Sequence, residues 1–104
     1  MSIRRTLLTE AYAFLGRHLA ESPGKASPAV RAEAMAGGGA GALGEYAKKV
    51  REAAYKVTAE EVEALRRSHS DDELFEVTVC AAFGAAKSRH EKGLAVIDAA
   101  WEEP

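Results

Sequence analysis

From Ile3 to Glu21 the residues Leu8, Tyr12, Leu15 and Leu19 return at intervals of three and four, with Leu7, Ala11, Phe14 and His18 beside them. Arg5, Glu10 and Arg17 lie away from that stripe, so the pattern predicts an amphipathic helix. Ser22-Pro23-Gly24 ends it, because proline removes an amide donor and glycine frees the backbone, and a linker runs on to about Ala26. Ser27-Pro28 then reads as an N-cap followed by proline at the first helical position, where its missing N–H costs nothing. A short helix through about Met35 is predicted, broken as a hinge by Gly37 to Gly39 and Gly41.

Leu43, Ala47, Val50, Ala54 and Val57 keep four-three-four-three spacing and predict a third helix over 43–57, with Tyr46 and Tyr55 flanking its apolar face. Thr58-Ala59-Glu60-Glu61 is a capping box, and Val57 with Val62 stand at the positions of a hydrophobic staple, so a fourth helix runs from there to about Ser68. Ser70-Asp71-Asp72-Glu73 repeats the box, with its acidic residues placed well against the positive end of a helix dipole. A last helix extends from Asp71 to about Trp101. Gly84 and Gly93 each weaken it by ~1 kcal/mol relative to alanine, and a bend or a close helix contact is expected at either.

No alternating run of β-branched or aromatic residues bounded by turns occurs, so no strand is expected. Leu74 to Ala86, apolar almost all round, predicts the central buried helix. The expected fold is all-α: a small bundle of about five helices with a long apolar C-terminal helix. Residues 1–22 form an N-terminal amphipathic helix and 23–104 the helical domain proper.

The chain has 104 residues, enough for a single core, and its 47% apolar and 29% charged content is that of a folded globular domain. Fourteen basic against sixteen acidic side chains leave a net charge of -2, which favours neither nucleic acid nor anionic lipid as a partner. No run approaches the ~18 apolar residues that span a bilayer. Arg4 and Arg5 form a small basic start, but Glu10 interrupts the apolar run beyond them and no targeting peptide is expected. The single cysteine allows no internal disulfide, and neither a C-x-x-C motif nor a zinc-type Cys/His cluster is present. No metal is therefore expected, and the cytoplasm is the default location; the glycine-rich GGGAG at 37–41 lacks the Lys-Ser/Thr of a phosphate loop and reads as a hinge, not a nucleotide site, so no cofactor is expected either.

The candidate chemistry centres on the last helix. Glu76 and Cys80 are i, i+4 neighbours, so their side chains can meet. A carboxylate beside a buried thiol raises the thiol pKa, whereas a nucleophilic cysteine needs a cation or a helix N-terminus. Cys80 is therefore expected to be packed and inert, with a redox nucleophile as the alternative. Glu76 lies on an otherwise apolar run and must be paired or line a cavity, because burying it bare costs several kcal/mol. His90 takes an apolar position in the stripe Val79, Phe83, Ala86, His90, Leu94, Ile97, Trp101, where it is either a satisfied core-edge imidazole or a proton carrier. Glu76, His90 and Cys80 are the catalytic candidates, and Tyr55 is the ligand-binding candidate if it converges on them.

The segment EYAKKVREAAYKVTAEEVEALRRSHSDDELFEVTVCAAFGAAKSRHEKGLAVI resembles short members of the carboxymuconolactone decarboxylase-like, or alkylhydroperoxidase D-like, superfamily, with the likeness covering roughly 27–97. The resemblance implies an all-helical fold and assembly into a homo-oligomer, a trimer or hexamer. The thiol-peroxidase branch works through a C-x-x-C pair, and here Phe83 stands at that spacing after Cys80, so thiol-peroxidase activity is not expected. Ser68-His69 departs from the glycine and aromatic expected before the second cap. Three functions are compatible with these residues: a small-ligand- or partner-binding oligomer, with or without carboxylate–histidine chemistry; a thiol-dependent redox enzyme using Cys80; or a purely structural assembly domain.

Overall fold

The structure, a computed structural model, describes the backbone of residues 3–102 and the side chains within 7–100 other than Leu8. Leu8 and Trp101, members of two predicted stripes, and Arg5 thus lie outside the described side chains. Among the described residues five α-helices succeed one another: α1 (Ile3–Glu21), α2 (Pro28–Ala36), α3 (Gly41–Ala53), α4 (Ala59–Arg66) and α5 (Asp71–Glu102), with a 3-10 turn at Ala54–Lys56 between α3 and α4. The fold is an all-helical bundle, without strands among the described residues.

Local hydrogen bonds set the helix starts. Ser27 Oγ accepts from the Val30 amide at 3.2 Å with Pro28 in the first turn of α2. Ser70 and Glu73 close a full capping box at α5: the Glu73 amide donates to Ser70 Oγ at 3.1 Å and the Ser70 amide to Glu73 Oε1 at 3.2 Å. That amide is the main reason the Glu73 carboxyl sits below its ordinary range. At α4 only half of the predicted box forms. Thr58 Oγ1 accepts from the Glu61 amide at 3.1 Å, but the Glu61 carboxylate turns to Lys49 Nζ at 3.1 Å on the neighbouring α3. A charged donor outcompetes the cap amide.

The third helix also departs from its predicted span of 43–57. It begins at Gly41 and ends at Ala53, whose backbone (φ -157°, ψ 63°) is not helical, and the 3-10 turn takes over. Val57 and Val62, on either side of the Thr58 cap, are each partly buried against the core.

α5 packs on all four other helices and is the centre of the bundle. Its buried face is Leu74, Val77, Cys80, Ala81 and Ala85, at helical spacing. The expectation of a helix buried all round is corrected: Phe75 is 69% exposed, Ala82 and Ala86 face outward, and Val96 and Ile97 are exposed in the distal half. Among the described residues no helix is long and apolar enough to cross a membrane.

Gly84 marks the closest approach. A Cβ there would collide with the carbonyl oxygen of Met35, so α2 seats on α5 only because this residue has no side chain. On α1 the inward face is Tyr12, Gly16 and Leu19 rather than the predicted stripe through Leu15, which is largely exposed. The Phe83 ring sits 3.2 Å from the position of a Gly16 Cβ and 5.9 Å, centroid to centroid, from Tyr12, so the small residue rotates the helix to admit the ring.

Arginines close two helix ends. Arg31 of α2 donates Nη1 to the Leu19 carbonyl of α1 at 2.8 Å, and Arg51 of α3 donates Nη1 to the Met35 carbonyl of α2 at 2.7 Å. Both satisfy last-turn carbonyls and complement the negative end of the dipole. Tyr46, buried on α3, meets Thr78 Oγ1 at 2.6 Å; because the Thr78 hydroxyl donates to the Leu74 carbonyl, the tyrosine is the donor.

The two glycines of α5 are expected to respond oppositely to alanine. Gly84→Ala should destabilise by about 1–3 kcal/mol through overpacking against Met35. Gly93→Ala, with nothing within 4 Å of a new Cβ, should stabilise by up to ~1 kcal/mol. Thermal unfolding of the two variants, at roughly 4–8 °C per kcal/mol, checks both signs.

Candidate functional site

Glu76 is on the second turn of α5 and reaches the connection between α1 and α2. Its Oε1 and Oε2 accept from the Lys25 amide, both at 2.9 Å, and Oε2 accepts from the Ala26 amide at 2.7 Å. A carboxylate held by backbone N–H groups just before a helix gains charge-assisted hydrogen bonds and the favourable end of the α2 dipole. Gly24 lets the carboxylate in, since a Cβ there would collide with Glu76 Oε1.

Behind this contact lies a cavity of about 210 Å³ between the end of α1 and the faces of α2 and α5. His18, Leu19, Ser22 and Pro23 line it from the α1 side, Arg31 from α2, and Phe75, Glu76, Val79 and Cys80 from α5. A more open depression over Gly24, Lys25 and Asp72 adjoins it through Pro23, Phe75 and Glu76. The roomier hollow beside α3 and α4, about 690 Å³ and lined by Leu43, Leu65, Ser68 and His69 among others, has no buried charged group on its wall.

Cys80 is 1% exposed, and burial pushes its thiol above the ordinary value of 9.0; the Glu76 carboxylate adds to the rise and the Arg31 guanidinium opposes it. The sulfur is thus a neutral, packed thiol at neutral pH. Arg31 was not marked by sequence reasoning. It is 4% exposed, the only buried charged side chain among the described residues, with Nε unpartnered and one hydrogen bond, that to Leu19.

The four sequence candidates divide. Glu76 and Cys80 share the cavity wall. His90 lies fourteen residues from Glu76 along one helix, about 21 Å at 1.5 Å per residue. Its ring stacks on Tyr12 of α1 at 4.5 Å and 21°, and its Nε2 is buried without a hydrogen bond among the described residues. Tyr55 sits on the 3-10 turn, which contacts α3 alone, and is 85% exposed. No carboxylate–imidazole–phenol constellation forms, and no cluster of three or more His, Cys, Asp or Glu suited to a metal occurs among the described residues.

No family model matches the chain, and none of the curated proteins or solved structures does.

Thiol reagents at neutral pH are expected to label Cys80 only as fast as the protein unfolds; rapid native labelling would contradict its burial. Because the folded thiol pKa lies above the unfolded one, its contribution to stability is complete below 9.0 and is lost as pH rises through the folded value. The stability difference between wild type and Cys80→Ala, followed by urea unfolding, should therefore shrink only on the alkaline side. Glu76→Gln should cost about 1–3 kcal/mol in the same assay by weakening the bonds to Lys25 and Ala26.

Proposed function

We propose that this chain is a small-ligand-binding helical protein that works as a homo-oligomer in the cytoplasm, akin to the carboxymuconolactone decarboxylase-like proteins and without thiol-peroxidase activity. The observation that carries the proposal is the α1–α2–α5 cavity, which joins an apolar wall of Leu19, Pro23, Phe75 and Val79 to the polar groups of Arg31, Glu76 and Cys80. Apolar concavities with a few fixed polar groups are where small molecules bind. Burial of Cys80 and the absence of a second cysteine weigh against a redox role.

Self-association is supported by the shape. The bundle measures 57 × 29 × 18 Å with a radius of gyration of 15.9 Å, against about 13 Å for a compact domain of this length. The elongation comes from α1 running along α5, and that pair leaves Leu7, Phe14, Leu15, Val96 and Ile97 exposed. Leu7 and Phe14, seven residues apart, share one stripe of α1. Covering these residues with a second copy is the natural way for so short a chain to bury them.

Two measurements test the proposal. In a fragment titration followed by amide chemical shifts, perturbations should gather at Leu19, Ser22, Arg31, Phe75 and Val79, and Val79→Phe, which fills the cavity, should abolish them. Scattered or absent shifts would remove the ligand-binding role. Light scattering should give a mass above that of the 11.1 kDa chain, with Phe14→Glu/Ile97→Glu returning it to monomer; a monomeric wild type would remove the oligomer.

A further inference from the structure

Resting on that ligand-binding role, we infer that the cavity takes a short apolar monoanion, a monocarboxylate, whose charged end is held by Arg31. On this wall the Glu76 carboxylate is engaged as an acceptor, whereas the buried guanidinium of Arg31 is not fully used as a donor. Both Glu76 oxygens accept backbone amides, and the Ser22 hydroxyl donates to the His18 carbonyl. Cys80 is a buried neutral thiol. Arg31 alone is under-used: one hydrogen bond occupies Nη1, Nε has no partner, and no carboxylate lies within ion-pair distance among the described residues.

A guanidinium offers five N–H donors and stays charged at any pH a protein meets. Burying it against a single carbonyl leaves most of that capacity unused and the charge without a carboxylate in ion-pair contact, a costly state beside a paired one. An anion entering the cavity supplies the missing counter-charge, and a carboxylate, with two oxygens, is the shape that a planar guanidinium fork accepts. A cationic ligand is less well served, because both Glu76 oxygens are engaged by the Lys25 and Ala26 amides that hold the α1–α2 connection.

Size and polarity define the rest of the ligand. At about 30 Å³ per water the cavity holds roughly seven waters, the room of a chain or ring of six to ten heavy atoms. Leu19, Pro23, Phe75 and Val79 present apolar surface to it, and Phe75, exposed at the rim, is placed to cover the tail.

Three probes of one length decide the matter: hexanoate, hexanamide and hexylammonium, titrated at neutral pH into the intact protein and followed by the amide shifts of residues 75–80 and the Arg31 side-chain Nε–H. Hexanoate should bind at least about tenfold tighter than hexanamide, as one charge-assisted hydrogen bond allows, and should move the Arg31 resonance. Equal affinity of hexanoate and hexanamide, or preference for hexylammonium, would overturn the anion assignment while leaving a ligand-binding cavity in place. Absence of binding by all three and by the fragments of the preceding test would end both. Arg31→Gln, checked for helicity by circular dichroism, should erase the preference for hexanoate without abolishing hexanamide binding; should that variant fail to fold, the comparison of probes on the wild type decides alone.

Discussion

The carboxylate of Glu76, held by the amides of Lys25 and Ala26, ties the α1–α2 connection to the central helix. Without it the segment from Ser22 to Ala26 would have amide donors facing water and no reason to lie against α5. With it, the last turn of α1 and the first turn of α2 are held over Phe75, Val79 and Cys80, and the space between them becomes the cavity. One charged residue thus serves local satisfaction of hydrogen bonds, helix packing and the making of a site. The glycine at position 24 belongs to the same device, because any side chain there would meet the carboxylate.

Helix ends show a second constraint at work twice. The terminal carbonyls of α1 and α2 are each reached by an arginine of the next helix, Arg31 to Leu19 and Arg51 to Met35. Chemically the two contacts are alike, yet their surroundings differ. Arg51 is only partly buried, so water completes its solvation. Arg31 is enclosed, and among the described residues the Leu19 carbonyl is its one hydrogen-bond partner. The same capping interaction that is purely structural on α2 therefore becomes a point of chemical interest on α1.

The bundle is unevenly secured. Near Gly84 the backbones of α2 and α5 touch, and Tyr46, Thr78 and Leu74 form a closed chain of hydrogen bonds. Toward the far end only α1 covers α5, through Tyr12, Phe83 and His90, and apolar residues on both helices face outward. Few buried contacts mean easier local opening, so the α1–α5 arm is the part of the fold that gains most from a partner. The cavity adjoins the secured part, where the packing of α2 on α5 fixes its walls.

The starts of α2, α4 and α5 were legible because an N-cap is local chemistry: Ser27, Thr58 and Ser70 each accept from an amide three positions on, whereas the start of α3, which has no side-chain cap, was not. Glu76 was legible as well, since a carboxylate in an apolar run demands a partner, although the partner proved to be backbone, which has no letter of its own in the sequence. Beyond the sequence's reach lay how helices rotate and meet. Tyr46 and Tyr55 look equivalent along the chain, yet one is buried and the other exposed because α3 stops at Ala53 and the 3-10 turn carries Tyr55 away. Glu76 and His90 occupy one helix too far apart to meet, and Arg31, three residues before the buried Ala34 in a nine-residue helix, offered too short a pattern to mark an inward charge. Side-chain type and spacing determine which helices form and which face each prefers; the close approach of backbones at Gly84 and the reach of Glu76 across the bundle decide which groups share a cavity, because those contacts join residues about fifty positions apart.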